Sequence, residues 1–403
     1  MINFKAYSED YLLDWRHTLI FMVSKRISLA AMLIAIAACS SNPNEHKPSP
    51  LPVLPAKHEQ IKLTQKQNWR VGKGLIANEV APQLVSQNNM LYVANHRGLV
   101  MAIEANQGKP WQQDIKQAVT GLQAAYGRVV LSSAKGDIYV LDATTGQPRW
   151  QKNLNAPILA AATQTPERVI VQSNDGKVYG LDAKTGNTVW VFDTPTAPLS
   201  LRGYASPLVI DDQVIVAGAT GKIFALEAQT GIALWESRVA SSNGRSELER
   251  MVDVDGQMLV DSEQKLYVAS YQGQLSALAL QNDKKPTPLW QENLSSYHSL
   301  AEGLGSIYAV DASDHIVAFD KQTGQVVWRQ KDFAWRGLSQ PVTANNLLFV
   351  GDKQGYVHIM AQSDGKLLGR FKVKGAVADL AIFNQALWVY SQQGQLTTWP
   401  LPQ

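Results

Sequence analysis

From about residue 65 onward the chain alternates short apolar bursts with polar turns, and the whole pattern recurs. It is clearest in Gly136-Asp-Ile-Tyr-Val-Leu-Asp-Ala-Thr-Thr-Gly146-Gln-Pro-Arg-Trp150, and it returns from Gly176 to Trp190 and from Gly221 to Trp235. Looser copies begin at Gly98, Gly273, Asp314, Gly355 and Gly394; in the seventh, Gly369 stands where tryptophan is expected. The spacing of about forty residues is the period of propeller blades. Each copy predicts an apolar strand such as Arg128–Ser133, a glycine turn, and a second alternating strand. Asp-x-x-Thr-Gly then supplies another turn, because the carboxylate accepts local N–H bonds and glycine tolerates positive φ. A closing strand ends in tryptophan, whose flat surface suits the gap between neighbouring blades. The eighth copy stops before its closing strand, whereas Asn68-Trp-Arg-Val71 reads as a stray one. The expectation is an all-β, eight-bladed β-propeller of four-stranded antiparallel blades over residues 63–403, its ring closed by strands from both chain ends.

The first 62 residues follow another logic. Lys25 and Arg26 precede an apolar run from Ile27 to Ala38 that leads into Cys39. These are the parts of a secretory signal, and the run is too short to cross a bilayer as a helix. Ile36-Ala-Ala-Cys39 resembles the lipobox of bacterial lipoproteins, which implies cleavage before Cys39 and acylation of that residue; several acyl chains make a firm anchor. Ser40, rather than aspartate, follows the cysteine, and by the same resemblance favours the outer membrane. Glu9, Asp10 and Asp14 place acidic charge where a leader is basic, so Met22 is the expected start and residues 1–38 the signal region. Residues 39–62, with Pro48, Pro50, Pro52 and Pro55, read as an extended tether.

Composition narrows the function. Cys39 is the single cysteine, so no internal disulfide forms. The net charge of +3 and the lack of a dense basic run outside the leader argue against a field that gathers nucleic acid or anionic lipid. The seven histidines show no metal-ligand spacing, and neither Gly-x-Ser-x-Gly nor a phosphate-binding glycine loop occurs.

The Ala-x-Asp-x-x-Thr-Gly-x-x-x-Trp pattern resembles the PQQ-type propeller repeat, which two very different groups share. Quinoprotein dehydrogenases use adjacent cysteines, calcium and a catalytic aspartate in many members. This chain has no spare cysteine and no grouped acidic loop. The BamB family of outer-membrane assembly lipoproteins matches lipobox, tether and blade count together. That resemblance implies a non-catalytic scaffold without cofactor or metal. It would face the periplasm from a lipid anchor in the outer membrane, bind the POTRA domains of BamA, and aid insertion of unfolded barrel clients. The resemblance is most specific where the repeat breaks, at Pro198–Gly203 and Ser246–Asp255. It implies BamA contacts at Leu199, Leu201, Arg202, Asp253 and Asp255. Leu199 and Leu201 alternate with Ser200, so both face one side of an extended segment, as do Asp253 and Asp255. The alternatives are a propeller lipoprotein that binds envelope polysaccharide or another complex, and a quinoprotein dehydrogenase.

Overall fold

Each repeat folds as one four-stranded antiparallel sheet, and eight such sheets form the blades of a β-propeller. The computed structural model describes residues 46–74, 83–104, 108–195, 205–218, 221–241, 252–281 and 284–402, and no helix occurs among them. Blades one to seven cover residues 85–114, 121–153, 163–193, 208–238, 259–294, 301–330 and 342–372, each in order from its inner to its outer strand. Blade eight takes its inner three strands from Val377–Phe383, Ala386–Ser391 and Gln395–Pro400. Its outer strand is Gln67–Arg70, which pairs antiparallel with Gln395–Pro400 in the register Gln67 with Thr398 to Arg70 with Gln395. The expected closure by both chain ends is therefore present, and Trp69 stacks on Trp388 at 5.1 Å.

The strands differ by layer because their neighbours differ. Second strands are buried at their centres, where they read as short apolar runs, as Val129–Leu131 does within Arg128–Ser132. Outer strands such as Pro148–Asn153 alternate exposed with half-buried positions. At the anchor positions the chain turns with positive φ, as at Gly136 (88°), except in blade five, where Gln272 (50°) and not Gly273 carries it. Asp314 holds the same left-handed geometry at 63° without being glycine, and its carboxylate accepts from the amides of Gly337 and Leu338.

Between the third and outer strands lies the Asp-x-x-Thr-Gly turn. Asp142 Oδ1 accepts from the amides of Thr144 and Thr145 and from the Thr145 hydroxyl, and Asp182 and Asp320 repeat the arrangement. The Arg149 guanidinium, 2.6 Å away, and these donors lower the Asp142 pKa to about 2. The glycine that ends the turn receives the tryptophan of the preceding blade. Trp150 Nε1 donates to Ala183 O at 3.0 Å, and its ring covers Gly186, where a Cβ would lie 2.7 Å from the indole. Trp111, Trp190, Trp290 and Trp328 pack the same way on Gly146, Gly231, Gly324 and Gly365. Trp235 has no such turn to meet in blade five, and its Nε1 donates to Gln213 of its own blade instead.

Residues Pro48–Gln403 form one compact unit. Within it, residues 48–63 form neither strand nor helix and run along the ring, with one turn at Lys57–Glu59, where Glu59 N donates to Ala56 O at 2.8 Å. Ser49 N donates to Ala334 O, Arg336 Nη1 to Ser49 O, Arg370 Nη1 to Pro52 O, and Ile61 N to Leu368 O. Ile61 and Leu63 pack into the core shared by blades seven and eight. Gly369 occupies the tryptophan position, paired with Ile359, and the Ile61 carbonyl stands 2.2 Å from where its Cβ would be. The strap thus fills the place that a tryptophan takes in other blades.

Candidate partner-binding surface at the connecting end

Strand direction fixes which loops share an end of the ring. Chains run out of each outer strand, cross to the next blade and enter its inner strand at one end. The glycine-anchored turns between second and third strands lie at that same end, and the Asp-x-x-Thr-Gly turns lie at the other. Both repeat-breaking segments belong to crossings, between blades three and four and between blades four and five. Leu199, Leu201 and Arg202 lie outside the described residues, as does Cys39.

Asp253 and Asp255 are described, and both are almost inaccessible, at 2% and 6% exposure. Asp253 makes an isolated antiparallel bridge with Tyr271, whose amide donates to the Asp253 carbonyl at 2.8 Å. Val254 between them is equally buried in the core of blades four and five. Gly256 then runs so close to the next crossing that a Cβ would lie 2.1 Å from His298 O. The alternation in sequence gave the two carboxylates a common side, and the structure turns that side into the protein rather than onto an open acidic surface.

Asp255 lines a chamber of about 760 Å³ at the connecting end. Its wall is made by residues that lead into the inner strands, among them Thr120, Gln257, His298, Gln340 and Asp379. Side-chain amides cross it: Gln257 donates to Gln83, Gln83 to Gln340 Oε1 at 2.9 Å, and Gln340 to Asp379 Oδ1 at 2.8 Å. Asp379 Oδ2 also accepts from Leu84 N at 2.5 Å, so the relay ties blades one, five, seven and eight across the axis. Burial pushes the Asp379 pKa up to about 7, outweighing three hydrogen bonds that favour the carboxylate. Burial, with the Lys353 charge nearby, lowers that of His298 to about 4. No sequence signal pointed to this relay, because its members are separated by up to 295 residues.

Two other polar groups are structural. In blade six, His315 in the same turn and Arg329 on the outer strand both meet Asp311 Oδ2. In blade seven the buried Asp352 carboxylate accepts from Arg336 and contacts His358, which packs on Phe333 at 4.4 Å. Among the described residues no three His, Cys, Asp or Glu side chains stand close enough to hold a metal ion.

Comparison with known proteins decides the family. The family model described as "Outer membrane protein assembly factor BamB" matches residues 96–330 and 315–399. This chain belongs to the BamB family. The curated BamB of Pseudomonas aeruginosa is 33% identical over 383 residues, covering 94% of this chain and 99% of that protein. BamB of Escherichia coli strain K12 is 29% identical over 84% of this chain and 88% of its own length. The crystal structure of BamB from Moraxella catarrhalis superposes with a TM-score of 0.76 at 31% identity, covering 84% of this chain and all of that one. A quinohemoprotein alcohol dehydrogenase from Comamonas testosteroni superposes at 0.64 but is only 13% identical, a likeness of fold alone. The BamB relatives are named as assembly factors, and the expected membership, fold and repeat type stand as read from the sequence.

Proposed function

We propose that this chain is a non-catalytic scaffold of the β-barrel assembly complex, anchored to the outer membrane through acylated Cys39 and facing the periplasm. It binds the POTRA domains of BamA and helps position unfolded barrel proteins for insertion. The observation that carries this reading is end-to-end similarity to proteins named as outer membrane protein assembly factors. Both repeat-breaking segments fall in sequence between the outer strand of one blade and the inner strand of the next, in two consecutive connections that a single partner domain can meet. Leu199, Leu201 and Arg202 are the anchors of that contact, small in area but capable of dominating affinity. Buried Asp253 and Asp255 act from behind, holding the crossing in shape and supplying negative charge beneath it. Outer blade strands offer unpaired backbone groups to an extended client.

Affinity capture of the tagged lipoprotein tests the reading. BamA is recovered with the wild type, and Leu201→Glu or Arg202→Glu lowers the yield while the melting temperature holds. Equal recovery by both variants removes the site assignment, and recovery of a different envelope complex or a glycan removes the assembly role.

A further inference from the structure

Folding gathers charge that the sequence leaves dispersed. Residues 48–66, the strap and its run into the ring-closing strand, carry a net charge of +2. Residues 364–374, the outer strand of blade seven and its flanks, carry +3, and the whole chain carries only +3. Hydrogen bonds from Arg370 to Pro52 and from Ile61 to Leu368 hold the two segments side by side. One rim therefore concentrates more positive charge than the entire molecule shows, and the remainder is net negative. Lys57, Lys62, Lys372 and Lys374 are all exposed there. The same rim shows apolar side chains: Val53 on the strap is 92% exposed and Trp335 37%. Trp335 follows Ala334, the residue whose carbonyl receives Ser49. Lysines beside an exposed indole and an exposed valine are the composition of a surface that meets lipid headgroups.

We propose that the strap-covered rim of blades six and seven is a membrane-facing surface that binds the phosphate-bearing headgroups of an anionic bilayer. Charge complementarity selects this occupant, and chain length supports it. If Cys39 carries the lipid, as the proposed function holds, nine residue steps lead from the anchor to Pro48, a span of at most about 30 Å. Because the strap is fixed to blades six and seven, that short reach turns this rim, and not the opposite one, to the bilayer.

The test uses the chain from residue 39 onward with Cys39→Ser, mixed with phosphatidylcholine vesicles with or without phosphatidylglycerol. Binding is expected only to the anionic vesicles and is expected to weaken as salt rises. The triple variant Lys57→Gln/Lys372→Gln/Lys374→Gln should lose about fivefold in affinity per charge removed, with an unchanged melting temperature. Lys135→Gln/Lys184→Gln, exposed on blades two and three across the ring, should bind as the wild type does. Equal binding to both vesicles, or an equal loss in the blade two and three variant, overturns the proposal. Since the acyl anchor is absent from this assay, its failure leaves BamA capture untouched, and failed BamA capture leaves this surface untouched.

Discussion

Replacing Gly186 by alanine isolates what the tryptophan wedge between blades demands. Gly186 has a φ of 74°, so any side chain there carries left-handed strain of about 1–2 kcal/mol. Loss of glycine's freedom in the unfolded chain offsets about 0.4–1 kcal/mol of this. The new methyl also meets Trp150 Cε3 at 2.7 Å and Cδ2 at 3.0 Å, and the ring is pinned by its bond to Ala183 O. Overpacking of this kind costs about 1–3 kcal/mol. Gly305 supplies the matched control, with a φ of 71° and nothing within 4 Å of its Cβ position. Gly305→Ala should therefore cost about 1 kcal/mol and Gly186→Ala about 2–4 kcal/mol. Urea unfolding at constant m-value reads both. Repeating Gly186→Ala in a Trp150→Leu background should recover most of the excess as a coupling energy. If the two alanine variants are equally stable, the wedge is not a close contact and the account of blade packing fails.

Asp379 predicts a pH dependence. Its folded pKa of about 7 lies above the unfolded 3.8, so between these values the folded state holds a proton that the unfolded state has released. Its contribution is complete below pH 3.8 and is lost as pH rises towards 7, by at most about 4 kcal/mol. Asp379→Asn should flatten that slope in a series of urea midpoints across the window, and an unchanged slope refutes the assignment. Arg336→Met strands the buried Asp352 carboxylate and frees Ser49, with an expected loss of about 3–5 kcal/mol. Cleavage within residues 48–63 by a protease should also speed up in that variant. Unaltered cleavage would show that Arg336 does not hold the strap.

Local, repeated features were legible from the sequence. Asp-x-x-Thr-Gly turns, the glycine anchors and the tryptophan spacing act within about forty residues, each tied to a local turn or to the contact with the next blade. Asn68–Val71 was legible as a strand without a local partner, and Gln67–Arg70 is where it pairs. What escaped depends on separation. The amide relay from Gln257 through Gln83 to Asp379 and the docking of Ser49 beside Ala334 join distant segments with no shared motif. Proline spacing suggested an extended segment over residues 48–62, and showed neither the turn at Lys57–Glu59 nor the surface that receives the segment. Gly369 marked a missing tryptophan, and only the fold shows that Ile61 takes its place. Summed charge likewise hides a patch whose halves lie some three hundred residues apart.

Ring closure by Gln67–Arg70 has a consequence for how the chain matures. Among the described residues, the first strand to be synthesised is the last to find its partner, because Gln395–Pro400 must exist before the pairing can form. Until then blade eight is missing its outer strand, and blade one stands beside an unfinished neighbour. Such long-range pairing is slow and leaves strand edges open to other chains. The newly made protein passes through a period in which it is itself an unfinished β-protein with open edges.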